Sequence, residues 1–140
     1  MYYAAIALTV ASNVFYHIFQ KVTPPAANPL LALTVTYAVS TLFCMGLFLV
    51  ISHDRPLMES IGRLNWTSIG LGFAIVGLEL GFLLAYRSGW NISIAVLVST
   101  VAVAMILLPI GLMLFHEHLS PANAAGFVLC TIGLILINGR

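Results

Sequence analysis

The sequence predicts an all-α integral membrane protein, a bundle of five transmembrane helices, and three observations carry that reading. Apolar residues make up 61% of the chain and charged residues only 6%. A soluble domain carries roughly 25% charged side chains, so this chain could not cover a water-facing surface. The apolar residues fall into five runs, at about 2–19, 29–51, 66–86, 92–115 and 122–137. Each is close to the ~20 residues that a bilayer core requires. The connections between them are short and polar, and neighbours joined so tightly run antiparallel. No soluble domain, linker or low-complexity segment is left over, so 1–140 reads as a single domain whose first partner is the lipid bilayer. A net charge of +1 gives no reason to expect nucleic acid.

The first span ends in Gln20–Lys21 and the Pro24–Pro25 turn. It lacks a basic leading segment and is longer than the roughly 7–15 apolar residues of a signal peptide, so it reads as a span. Thr9, Asn13, Tyr16 and Gln20 make a polar stripe along it, with His17 beside them. The second span carries a milder stripe of Thr34, Tyr37, Thr41 and Cys44. Hydroxyls and amides spaced this way are expected to hydrogen-bond across helices. Asn13 and His17, one turn apart on an otherwise apolar helix, have two readings: they line a polar cavity, or they bond a neighbouring helix. The connector SHDRPLMESIGRLN follows, holds four of the nine charged residues, and suits a short interfacial helix.

The third span, WTSIGLGFAIVGLELGFLLAY, is the most informative stretch. Glu79 lies near its middle. A charged side chain at that depth costs about 2.5–3.5 kcal/mol even on insertion scales, which makes an intramembrane acid a functional candidate. Gly70, Ala74, Gly77 and Gly81 fall in one stripe, spaced to admit another helix backbone closely. Glu79 points away from that stripe and shares its face with Gly72 and Tyr86, seven residues to either side. An acid on that face needs a cavity or a second subunit opposite it.

The RSGWN turn leads to the fourth span, where Pro109 frees a carbonyl one turn earlier and is expected to kink the helix. The fifth span carries a second small-residue stripe, Ala122, Gly126, Cys130 and Gly133, suited to close packing within the subunit or across a dimer. Cys44 and Cys130 show no CxxC or Cys/His spacing and read as small packing residues, with no disulfide, metal or cofactor. His116–Glu117–His118 invites a metal reading, but His at i and i+2 point apart on a helix, so the run is taken as structural. Trp66, Trp90, Tyr2 and Tyr3 stand at span ends, where an aromatic belt accounts for them; Tyr86 reads equally as belt or site. Arg55 and Arg63 fall on one side of the membrane, and Lys21, Arg87 and Arg140 on the other. So small a bias suits a chain that inserts in both directions, or one whose single topology turns on one arginine.

These residues resemble a known family. GLELGFLLAYRSG followed by LLPIGLMLFHEHLSPANAAGFVLCTIGLILI is similar to one EamA-type repeat of the drug/metabolite transporter superfamily. The likeness rests on a small-residue third helix ending in Ala85–Tyr86, on Pro109 in the fourth, and on Glu117 at that helix's end. Leu119–Ser120, Gly126 and Gly133 extend it. SNVFYHIFQKVTPPAANP, with Asn13 and Lys21, resembles the first helix of such repeats. The smaller relatives, the small multidrug resistance proteins, act as antiparallel dimers and carry their essential acid in the first helix. Here that helix has Asn13 and His17, and the acid is Glu79.

The resemblance implies a multi-pass protein of a bacterial inner membrane and a secondary active transporter, working by alternating access as an antiparallel, dual-topology homodimer. Inverted repeats place the site at the repeat interface near the midplane, and a lone repeat reaches that arrangement by pairing with an oppositely inserted copy. Glu79 would bind a proton or a cationic substrate group in competition, with Asn13, Tyr16, His17 and Tyr86 lining the pocket. The expected substrate is a small metabolite or a cationic or amphiphilic compound, with transport coupled to protons. The alternative is a non-transporting accessory or assembly subunit, which would need no buried acid. An intramembrane enzyme using Glu79 and His17 finds no nucleophile or metal motif to support it.

Overall fold

The computed structural model describes residues 2–51, 57–116 and 120–138, and every regular element among them is an α-helix. In chain order these are α1 (Tyr2–Val22), α2 (Pro29–Ile51), α3 (Leu57–Gly62), α4 (Trp66–Arg87), α5 (Ile92–Leu114) and α6 (Pro121–Asn138). Among the described residues, α2, α4 and α5 are long and apolar enough to cross a membrane. The remaining two expected spans are helical as well. The apolar part of α6 is shorter, Pro121–Leu136, and α1 is diluted by Asn13, His17, Gln20 and Lys21.

Local chemistry sets the ends. Asn28 caps α2 by accepting from the backbone N–H of Leu30 at 2.9 Å and of Leu31 at 3.3 Å, while Pro29 takes the first helical position, where no N–H is needed. Asn65 caps α4 through the Thr67 N–H at 3.0 Å, and Ser120 caps α6 through the Asn123 N–H at 3.2 Å. The helix α4 closes with the Ser88 hydroxyl donating to the Leu84 carbonyl at 2.9 Å, and Gly89 then turns the chain at φ 96°, a conformation glycine adopts without a Cβ penalty. The connector forms the expected short helix, α3, whose Glu59 pairs at 2.6 Å with Arg63, the residue that follows the helix.

The helix α1 runs three residues past the expected Phe19. Its last turn is held by internal partners, the Tyr16 hydroxyl for Gln20 and the Tyr86 carbonyl for Lys21, and it stops just before the Pro24–Pro25 turn. Pro109 lies inside α5, which continues through it to Leu114.

The chain falls into two compact units, Met1–Ser88 and Gly89–Arg140. In the first, α1 and α2 both pack on α4; in the second, α5 packs on α6. The first unit is inside out by the standards of a soluble protein. His17 and Gln20 are only 6% and 9% exposed, while Leu42 and Phe73 are 74% and 76% exposed. His17 and Gln20 are buried while many large apolar side chains face outward, an arrangement that lipid favours.

One expectation is corrected here. Thr9 and Thr34 of the polar stripes bond their own helix, Thr9 donating to Ala5 and Thr34 to Leu30, as Thr131 of α6 does to Phe127, each to a carbonyl one turn back. A hydroxyl in an apolar setting finds that carbonyl without a second helix. Cys44 and Cys130 are free thiols, exposed in the single chain. Neither small-residue stripe is filled within its own unit. A Cβ at Gly77, Gly81, Gly126 or Gly133 would meet nothing within 4 Å, and one at Gly70 would meet only the ring of Trp66, one turn away. Arg55 and Arg140 of the charge balance, and Glu117, His118 and Leu119 of the connection before α6, lie outside the described residues.

Candidate functional site

The site is built in the first unit, where the C-terminal ends of α1 and α4 lie together. Three ties hold them. Lys21 Nζ donates to the Tyr86 carbonyl at 3.4 Å and sits 5.5 Å from the centre of the Tyr86 ring. Arg87 Nη2 donates to the carbonyls of Pro24 at 3.2 Å and Ala27 at 2.8 Å, fixing the turn between α1 and α2. Deeper in, the Tyr86 hydroxyl and His17 Nδ1 share a buried 2.8 Å hydrogen bond.

Phe82, one turn before Tyr86, organises the rings. It stands edge-on to His17 with centroids 4.6 Å apart, edge-on to Tyr16 at 6.3 Å, and stacks on Tyr86 at 5.9 Å. Such offset and edge contacts suit the aromatic quadrupoles and add about 0.5–1.5 kcal/mol per pair beyond burial. Tyr16 also accepts from Gln20 Nε2 at 3.3 Å through its hydroxyl.

Glu79 lies further along the same face of α4, eight residues before Arg87, about 12 Å of helix rise from that end. Tyr37 lies eight residues after Pro29 on α2, which leaves the turn that Arg87 grips. The two therefore stand at similar depth on packed helices. Glu79 Oε2 and the Tyr37 hydroxyl are each buried and have no hydrogen-bond partner. Leaving such a group unpaired costs about 1–3 kcal/mol, and more when it is charged. Beside them α2 and α4 border an open apolar groove of about 430 Å³, lined by Tyr37, Ser68, Gly72, Phe73 and Val76 among others.

Of the residues expected at the site, the structure brings together Tyr16, His17 and Tyr86, with Glu79 on the same face of α4 as Tyr86. Tyr86 is 5% exposed, which answers the choice between belt and interior in favour of the interior. Asn13 is exposed in the single chain, whereas His17 one turn on is buried. The glycine stripe faces away from Glu79, as the helical spacing implies, while Gly72 shares the acid's face and lines the groove.

Sequence reasoning placed Tyr37 and Gln20 in polar stripes without assigning them to the site, and left out Phe82. The signal for Tyr37 was its distance from the proline turn, equal to that of Glu79 from Arg87. Phe82 was legible as the residue three after the acid on the same helical face. Compared with protein-family models, curated proteins and solved structures, the chain matches none.

Proposed function

We propose that this chain is half of a secondary transporter, resembling a single repeat of the drug/metabolite transporter superfamily and completed by an oppositely inserted second copy. In this reading α1, α2, α4, α5 and α6 all cross the bilayer, and α3 lies at its surface. The observation that supports it most is Glu79, a carboxylate with a buried, unpartnered oxygen about midway along an apolar helix. A subunit that served only to fill space would carry that cost for nothing, whereas a transporter needs a group that gains and loses a charged partner during its cycle. Tyr16, His17 and Tyr86 form a ring cluster toward the nearer end of the helices, and the glycine stripes are left open for the second copy.

Two measurements test the proposal. Side-specific labelling of a C-terminal tag is expected to find both orientations in one membrane; a single orientation removes the antiparallel dimer. Flux into proteoliposomes, screened over amines, amino acids and polar metabolites with and without a pH gradient, is expected to find a proton-linked substrate. No flux of any of them would favour the accessory subunit.

A further inference from the structure

We propose that Tyr37 and Glu79 together bind a head group that carries at least two N–H donors, a primary or secondary ammonium, whose apolar tail lies in the groove between α2 and α4. The inference deepens the transporter reading and rests on it. Its premise is the coincidence of two orphaned oxygens, Tyr37 Oη and Glu79 Oε2, at similar depth on packed helices and both out of reach of water.

The chemistry of the two oxygens selects the ligand. An ionised carboxylate only accepts hydrogen bonds, and a phenol oxygen accepts as well as donates. The two do not bond each other in the structure, so a group lying between them must donate to the carboxylate and either donate to the phenol or accept from it. An ammonium with two or three N–H bonds donates to both and also neutralises the acid. A hydroxyl could bridge them but leaves the acid's charge in place, and a quaternary ammonium has no N–H to donate. Carboxylates and phosphates would be repelled by Glu79. The cations of this unit that are near the site, Lys21 and Arg87, are engaged by backbone carbonyls at the helix ends.

The groove supplies the apolar half of the site. Tyr37 belongs to its lining, and Val76 lies one turn before Glu79. Gly72, two turns before the acid, presents no side chain and leaves room beside Tyr37. Its volume of about 430 Å³ falls in the range of small-molecule pockets, roughly 300–1,000 Å³. An amphiphile with its head at the oxygens and its tail over Phe73 and Ile75 fits both halves.

The test is equilibrium binding of radiolabelled decylammonium to the full chain in zwitterionic nanodiscs, with empty nanodiscs subtracted. Saturable binding is expected, weakened roughly tenfold in Tyr37→Phe, the loss of one hydrogen bond to a charged group. Glu79→Gln is expected to weaken it further. Decyltrimethylammonium, with the same charge and tail but no N–H, is expected to bind at least about tenfold more weakly than decylammonium. Equal affinity for the two probes, or an unchanged Tyr37→Phe, overturns the two-oxygen site. Uptake no greater than that of empty nanodiscs overturns it too, leaving the groove as a lipid-covered surface. Flux of the same probe in proteoliposomes separates the two readings. Binding without flux removes the transporter and leaves this site standing, whereas flux indifferent to Tyr37 removes this site alone.

Discussion

In the unit Met1–Ser88 His17, Lys21, Tyr86 and Arg87 meet across helices, while its threonines, like the hydroxyls of Gly89–Arg140, fold back onto their own helix. His17 reaches Tyr86 from α1 to α4, and Arg87 reaches the turn before α2. In the second unit Ser99 donates to the Val96 carbonyl and Thr131 to that of Phe127, each within its own helix. Its buried side chains are small and apolar, Ala95 and Val101, and its described residues include no Asp, Glu, Lys or Arg. Interhelical polar contacts demand mutual placement of both partners, and self-satisfied hydroxyls demand none. The first unit is thereby specified in detail where the chemistry lies, and the second offers apolar surface with a small-residue face.

The largest expected effect of breaking this contrast is at Glu79. Glu79→Gln keeps the shape of the neutral acid and removes its titration, so the protein should fold and dimerise while flux coupled to a pH gradient falls to background. Glu79→Asp should keep transport with a shifted pH dependence. Flux against pH for wild type and both variants is the check. An unchanged profile in Glu79→Gln would make this a structural acid and move the search for the coupling group to His17.

Next in size is the effect of filling the open stripes. A Cβ at Gly77 or Gly126 meets nothing within the chain, so Gly77→Leu and Gly126→Leu should leave helicity intact and act on assembly. Crosslinking or light scattering in detergent should show loss of the dimer for at least one of them. Wild-type oligomeric state and thermal stability in both would detach these faces from packing altogether.

A smaller change is expected at Tyr86→Phe, which leaves His17 Nδ1 buried without its partner and should cost about 1–3 kcal/mol. Adding His17→Phe should recover part of the loss, because removing both partners removes the unpaired group as well. Thermal unfolding of the two variants measures this. A double variant less stable than the sum of the single effects would show that the His17 ring's packing on Phe82 outweighs its hydrogen bond.

The smallest effect belongs to the second unit. Thr131→Val deletes a bond to the same helix, and such bonds compete only weakly with the ladder, so stability should shift by less than about 0.5 kcal/mol. A large loss, read by the same melts, would mean that the two units do not differ as described.

What the sequence determined by itself is the helices and their ends. Bilayer thickness and main-chain hydrogen bonding leave an apolar run of this length one structure. The caps Asn28, Asn65 and Ser120 act within a turn of their own position. The face of Glu79 was legible too, since helical periodicity alone sets it opposite the glycines. What only the tertiary structure decided is which polar residues meet. Asn13 and His17 are one turn apart in the chain, yet one faces outward and the other is sealed under Phe82. The rotation of α1 about its axis against α4 separates them, and that rotation is set by which side chains interlock across the interface. Tyr37 joined Glu79 for the same reason: two helices packing at a common depth brought together residues forty-two positions apart in the sequence.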